Sequence, residues 1–382
     1  MSGSKPLEGL LVVAVEQAVA APFCTARLSD AGARVIKIER ASGDFARGYD
    51  TAAHGESSYF VWTNHGKESV VLDIKAPDDA ALLHRIIAVA DVFVQNLAPG
   101  ALERAGFGSD ALREANQQLI TCDISGYGEA PGVAEKKAYD LLVQAESGLV
   151  DISGGVDELG RIGVSICDIG AGMTAHSAIL EAIIQRSISG IGSGVRISLF
   201  DVAAEWMTVP LVQHEYGGAG PKRVGLRHPT IMPYGAYATS EGALTLISIQ
   251  NEREWQRLCV EVLNRTDLAT DPRFDSNSKR VENRATLEDE LTRIIGALDK
   301  AGLVRRLDEA SIAYGSVNDL GDLSEHVALR RRSISTSSNN EVLLPAHPVR
   351  WSSEELTDTS SVVPVLGADS ERIRAEFSAD DE

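Results

Sequence analysis

Strand-like and helix-like segments alternate along the first 200 residues, and that order decides the class of fold. Residues 10–15 are a short apolar run rich in valine. Residues 20–31 read as a helix, with Pro22 near its start and Gly32 just past its end. Residues 34–39, 70–73, 92–95 and 119–124 repeat the strand pattern, with a helix at 99–105 between the last two. Such alternation predicts an α/β fold: a mostly parallel sheet with helices on both faces. Ligands of such sheets bind beyond the carboxyl ends of the strands.

Residues 169–186 form a long helical pattern, and 195–200 read as a further buried strand. Residues 216–225 then turn glycine-rich and read as a linker. From 233 to 250 the pattern predicts two antiparallel strands joined at Ser240-Glu241-Gly242, followed by amphipathic helices at 252–263 and 287–298. The organisation that follows is a large domain over 1–200, completed by 330–382, and a small α+β domain over 217–325. Residues 201–216 and 326–345 are read as linkers.

A net charge of −19 disfavours nucleic acid as a partner, because such binding needs a basic face. It leaves room for small anions held by a local basic cluster. No apolar run reaches the eighteen or so residues that cross a bilayer, and residues 1–8 lack the layout of a secretion signal, so the chain reads as cytoplasmic. Cys24, Cys122, Cys167 and Cys259 are widely spaced, with no CxxC pair and no histidine at ligand spacing; they read as buried reduced thiols, and no metal site is expected. Neither GxGxxG, a P-loop nor GxSxG is present, which weakens dehydrogenase, NTPase and hydrolase readings. Gly190-Ile-Gly192-Ser-Gly194 precedes a strand and reads as a turn.

The most informative stretch is Ser165-Ile-Cys-Asp168-Ile-Gly170-Ala-Gly172-Met. An acid stands after an apolar segment, just before glycines that open a helix. A helix N-terminus favours an ionised carboxylate there, and the two glycines would let a bulky ligand approach the backbone. A partly desolvated carboxylate facing a thioester is a competent nucleophile. On the motif alone the commoner role is an N-cap, so both readings stand. Arg40 and Lys75 follow strands, Arg104 lies on the helix after Asn96, and the Lys136-Lys137 pair stands in a loop, each where an anion could reach it. Taken singly, each reads as a solvated surface charge.

Longer blocks carry a resemblance. Ala21-Pro22 precedes Leu28-Ser-Asp-Ala-Gly-Ala-Arg-Val-Ile-Lys-Ile-Glu39-Arg40, then Gly43-Asp44, Arg47, Asn64, Lys67, Ser69 and Leu72-Asp73. Asp91-Val-Phe-Val-Gln-Asn96-Leu-Ala-Pro-Gly100 follows, with Arg104 and Gly106-Phe-Gly108. Ile124-Ser-Gly-Tyr-Gly128, Tyr139-Asp140-Leu-Leu-Val-Gln144, Asp168, Asp271-Pro-Arg-Phe274 and Pro364-Val-Leu-Gly367 complete the set. In these blocks the chain resembles the class III CoA-transferases, the group of formyl-CoA transferase, carnitine CoA-transferase and alpha-methylacyl-CoA racemase.

The resemblance implies a Rossmann-like large domain, a smaller α+β domain and an interlocked homodimer. It implies CoA transfer from an acyl-CoA to a free carboxylic acid through a covalent aspartyl intermediate on Asp168, with no metal, nucleotide or redox cofactor. Val19, Ala20, Arg40, Leu72, Ile74, Lys75, Asn96, Leu97, Ala98, Arg104, Lys136 and Lys137 fall at CoA-contacting positions, Val19 and Ala20 where the family's N-terminal loop meets the thioester region. The family's racemases pair the acid with a histidine just before the Asp140 equivalent; here that residue is Tyr139, which favours transfer over α-proton exchange. A CoA-binding protein without catalysis is the third reading, and it has no use for the Asp168 motif. Formyl-CoA transferase carries a glycine run where this chain reads Gly225-Leu-Arg227-His228-Pro229. That departure points away from oxalate. It marks Arg227 and His228 as substrate-reading candidates, beside Tyr139 at the racemase histidine position, and a short-chain or dicarboxylic acid as the acceptor.

Overall fold

The computed structural model describes residues 5–352 and 361–378. Two compact units divide the chain. The larger comprises Met1–Leu149, Arg161–Val209 and Arg330–Glu382; the smaller comprises Val150–Gly160 and Pro210–Leu329.

The larger unit is built on six strands: β1 (Leu11–Val15), β2 (Arg34–Glu39), β3 (Glu68–Val71), β4 (Val92–Gln95), β5 (Ile120–Ser125) and β6 (Gly194–Ser198). They are hydrogen-bonded in the order β3-β2-β1-β4-β5-β6, and every pairing is parallel. This is the doubly wound order, in which the chain reverses direction across the sheet between β1 and β4. The valine-rich sequence of β1 follows from its place. Val12 and Ala14 enter a core with Leu28, Ala171, Ala175 and Ile179, while Val13 and Val15 enter the opposite core with Leu82, Ile86 and Phe107. A strand covered on both faces shows no polar alternation.

β6 departs from the expected buried strand. It is the sheet's last strand, its outer residues alternate toward solvent, and Leu199 already opens the next helix, whose N-terminus Ser198 caps by accepting from Asp201 N at 2.9 Å. Residues 201–216, read as a linker, are helical in Leu199–Trp206, where Leu199, Val202 and Ala203 bury one face, and again in Thr208–Gly217. The smaller unit holds β7 (Tyr234–Ala238), β8 (Leu244–Ser248) and β9 (Ala313–Ser316) as an antiparallel sheet over Trp255, Phe274, Leu287, Leu291 and Leu303. Residues 326–345, also read as a linker, contain β10 (Arg331–Ser335) and β11 (Glu341–Pro345). These pair antiparallel with each other, and β10 runs parallel to β12 (Ser361–Val362).

Two features tie this unit together. Beneath the carboxyl ends of β1 and β2, four charged side chains are buried as a group. Glu16 accepts from Lys67 Nζ at 2.6 Å and from Thr25 Oγ1 at 2.6 Å, with Lys37 Nζ at 3.5 Å; Lys37 reaches Asp44 at 2.9 Å. Burial lowers the Lys67 ammonium to about 8, whereas Lys67 and Lys37 outweigh burial at Glu16 and hold its carboxyl below the usual range. Second, the C-terminal tail covers β3, the other edge of the sheet. Ser69 N donates to Asp369 Oδ2 at 2.9 Å, Val71 N to Ser370 Oγ at 3.0 Å, and Gly367 N to Ser69 Oγ at 2.9 Å.

The long helix Ile166–Ser189 packs across the helix Ala20–Asp30. The motif predicts that its glycines open space for a ligand; instead, protein fills that space. A Cβ on Gly170 would strike the indole of Trp206 and Val202, and one on Gly172 would lie 2.6 Å from the Ala20 carbonyl oxygen. Gly170→Ala is therefore expected to cost about 1–3 kcal/mol by overpacking. Urea unfolding with wild-type stability would refute that role.

Candidate active site

The carboxyl ends of β1, β2 and β4, with the loop after β3, enclose a cleft of about 190 Å³. It is lined by Val15, Glu16, Gln17, Ile38, Glu39, Arg40, Gly43, Asp44, Leu72, Ile74 and Leu97. It sits beside the β1/β4 reversal, where two neighbouring strands send their connections to opposite faces and leave a crevice. Four residues predicted for CoA, namely Arg40, Leu72, Ile74 and Leu97, meet here. The Arg40 guanidinium is held by its Nε–H to the Gly43 carbonyl at 2.9 Å and lies 5.9 Å from the Phe45 ring centroid.

Asn96, at the end of β4, fixes the strand-end loop. Its Oδ1 accepts from Gln17 N at 2.9 Å, and its Nδ2 donates to Gln17 O at 2.8 Å. Val19 and Ala20 are buried where this loop enters the Ala20–Asp30 helix. Lys75 and Ala98 are exposed on the loops after β3 and β4. Arg104 is exposed and donates to Pro99 O at 3.4 Å. Lys137 is exposed, while Lys136 is ion-paired with Glu146 and lies 4.8 Å from the Tyr127 ring centroid. Arg227 and His228 belong to the smaller unit. There the Arg227 guanidinium is 2.7 Å from Glu288, and His228 stacks on Tyr234 at 5.2 Å.

Asp168 lies in the first turn of the long helix, one turn before Gly172 and its contact with Ala20. The capping reading does not hold. Asp140, buried at the start of the helix Asp140–Glu146, takes that role from another element: its Oδ1 accepts from Cys167 N at 2.7 Å and Asp168 N at 3.4 Å. Gln144, one turn on, donates to the other Asp140 oxygen at 2.6 Å and accepts from Ile162 N at 2.9 Å, fixing the loop that leads into the long helix. The Tyr139-Asp140…Gln144 block thus has a physical reason: an i,i+4 pair that aims a carboxylate at a neighbouring helix start.

Asp140 also changes the electrostatics of its neighbour. The Asp168 side chain makes no hydrogen bond among the described residues, and it is half-buried. Burial, and then the Asp140 carboxylate, push its pKa up to about 7. The expected ionising influence of the helix start is opposed because Asp140 already occupies the free N–H groups and adds a like charge. Tyr139, at the N-cap of the Asp140–Glu146 helix, is exposed. Tyr49, not singled out in the sequence, has its hydroxyl raised to about 12 by burial and by the charges of Asp44, Asp168 and Tyr139. Its ring meets Tyr59 edge-on and Phe45 at a tilt, with ring centroids 5.4 and 5.6 Å away. Among the described residues no group of acids, histidines and cysteines has metal-site geometry, and all four cysteines are free and buried.

The family model described as CoA-transferase family III matches residues 7–370. Acetyl-CoA:oxalate CoA-transferase of Acetobacter aceti is 31% identical over 98% of this chain and 96% of its own length. Succinyl-CoA:glutarate CoA-transferase of Mus musculus is 30% identical over 99% of this chain and 88% of its own. The crystal structure of a CaiB/BaiF family protein from Brucella suis superposes with a TM-score of 0.82 at 30% identity, covering 98% of this chain and all of that one. A doubly wound sheet with its cleft at the β1/β4 reversal, a desolvated aspartate at a helix start and a match along nearly the whole chain converge: this protein belongs to the CoA-transferase family III.

Proposed function

We propose that this CoA-transferase moves CoA from an acyl-CoA to a short-chain or dicarboxylic acid through a covalent intermediate on Asp168. One observation carries the reading. The Asp168 carboxylate is left without a hydrogen-bond partner among the described residues, on a helix start already capped by Asp140, with its pKa raised to about 7. A carboxylate with a raised pKa is a stronger nucleophile and is still substantially ionised at neutral pH.

The steps balance without an external reagent. Asp168 attacks the acyl carbonyl and expels CoA thiolate, leaving an aspartyl–acyl anhydride. The thiolate attacks the aspartyl carbonyl, giving an aspartyl–CoA thioester and the free donor acid. The acceptor carboxylate attacks the aspartyl carbonyl of that thioester and expels CoA thiolate, giving an aspartyl–acceptor anhydride; the thiolate then attacks the acceptor's acyl carbon and releases the Asp168 carboxylate. No electron pair is left over for a redox partner, and no metal or nucleotide is called for. The cleft residues Arg40, Leu72, Ile74 and Leu97 hold the CoA portion. Relatives named for oxalate and for glutarate support a dicarboxylic acceptor. The working form is a homodimer, supported by the helix Thr208–Gly217, which buries no residue and exposes Val209, Leu211, Val212 and Tyr216. Four free, buried thiols suit the cytoplasm.

Intact-mass spectra after brief incubation with a panel of acyl-CoAs in D2O test the mechanism. Wild type is expected to gain the mass of an acyl group or of CoA, and Asp168→Ala to gain neither. Deuterium in recovered acyl-CoA without an adduct would point to proton exchange instead. The rate of adduct formation is expected to rise with pH through about 7, as Asp168 ionises. Asp140→Asn keeps an oxygen for Cys167 N but removes the like charge, so its midpoint is expected to fall; an unchanged or higher midpoint would refute the coupling.

A further inference from the structure

The loop at the mouth of the cleft is held in a conformation it would not keep alone. Ala18 has φ +64°, in the left-handed region that a residue with a Cβ adopts only at a cost. Such a residue persists where its surroundings over-determine it. Here the constraint is Asp44. Its Oδ1 accepts from Ala18 N at 3.1 Å and from Ala46 N at 2.9 Å, and its Oδ2 accepts from Lys37 Nζ at 2.9 Å. Asp44 N donates to Glu39 Oε2 at 3.0 Å, so the acid is fixed from backbone and side chain together. On the other flank Asn96 clamps both polar groups of the Gln17 peptide. Gln17 and Asp44 both line the cleft, and Val19 leads directly into the helix that packs against the Asp168 helix.

The geometry points to Asp44 as a positioning residue for CoA transfer: it holds Ala18 left-handed and thereby sets where the Gln17–Val19 loop meets the thioester. Asp44 does not touch the reacting atoms. It acts through the Ala18 amide, and the buried Lys37–Glu16–Lys67 cluster keeps its carboxylate in place. The inference rests on the reading that this loop adjoins the thioester in the Asp168 reaction.

Steady-state transfer by wild type, D44A, the double variant D44A/A18G and D44N tests it, with circular dichroism as the check on folding. D44A is expected to lower kcat at least thirtyfold while KM for the acyl-CoA changes less than threefold, as for misplacement of a positioned group. Glycine holds a positive φ without steric cost, so A18G on the D44A background is expected to recover about fivefold. D44N retains an oxygen for the Ala18 amide and is expected to recover at least tenfold. A D44A enzyme with kcat within threefold of wild type overturns the inference. So does a loss confined to KM, or one that neither A18G nor D44N lessens. Should D44A be unfolded, D44N decides through amide exchange at Ala18. Wild-type protection with kcat within fivefold supports the role; wild-type protection with kcat lost more than tenfold overturns it. The wild-type mass adduct reports on the Asp168 reading separately, so failure of that reading and failure of this one give different results.

Discussion

Two lysines and two carboxylates meet, buried, at the floor of the cleft, and the larger unit is organised around keeping them paired. Glu16 directly follows β1, Lys37 belongs to β2, Asp44 comes after it and Lys67 leads into β3. Lys67 also donates to the Pro22 carbonyl at 3.0 Å and the Asn64 side chain at 3.2 Å, which brings two helices into the same cluster. Glu39, two residues beyond Lys37, takes Arg47 at 2.7 Å and Ser69 at 2.6 Å, and Ser69 in turn holds the C-terminal tail. Removing one partner from such a group leaves a buried charge uncompensated, which costs about 3–5 kcal/mol. Apolar residues would fill the space more cheaply, but they would not specify which strand end faces which turn. The cluster gives the cleft a floor with fixed geometry.

How much of this was legible in the sequence depends on what each segment's state depends on. β2 and β4 were read at their observed bounds, because a run such as Val92-Phe-Val-Gln95 has no other way to bury both faces. The long helix was found but read short at both ends. β10 and β11 were missed because Arg331-Arg-Ser-Ile-Ser335 carries little apolar signal; it is a strand through pairing with residues 341–345, a fact of tertiary structure. β6 looked buried because Val195, Ile197 and Leu199 are apolar, yet its place at the sheet edge comes from topology, which local composition does not encode.

The site divides in the same way. Asp168 stood out through its own neighbours, an apolar approach and glycines, although those glycines turned out to serve helix packing. The residue that governs its charge did not stand out. Asp140 precedes Asp168 by 28 positions, and nothing in its own segment says which helix start it will cap. Tyr49 escaped notice for the same reason, since its surroundings are assembled from the loop after β2 and from residues far along the chain. Arg40 and Leu97, by contrast, sit just beyond strand ends, where the α/β rule places ligands before any contact is known.

The stitch between the tail and β3 has a consequence for how the protein is made. A ribosome delivers Ser69 about 300 residues before Asp369, the partner that seals its strand. Domains fold from the N-terminus as they emerge, at roughly 5–20 residues per second. For tens of seconds, by that rate, the nascent sheet carries an open edge with unpaired amides at Ser69 and Val71. Exposed strand edges recruit other strands. β3 has only four residues, with Glu68 at its start, and both features limit what such an edge can capture while it waits for the end of the chain.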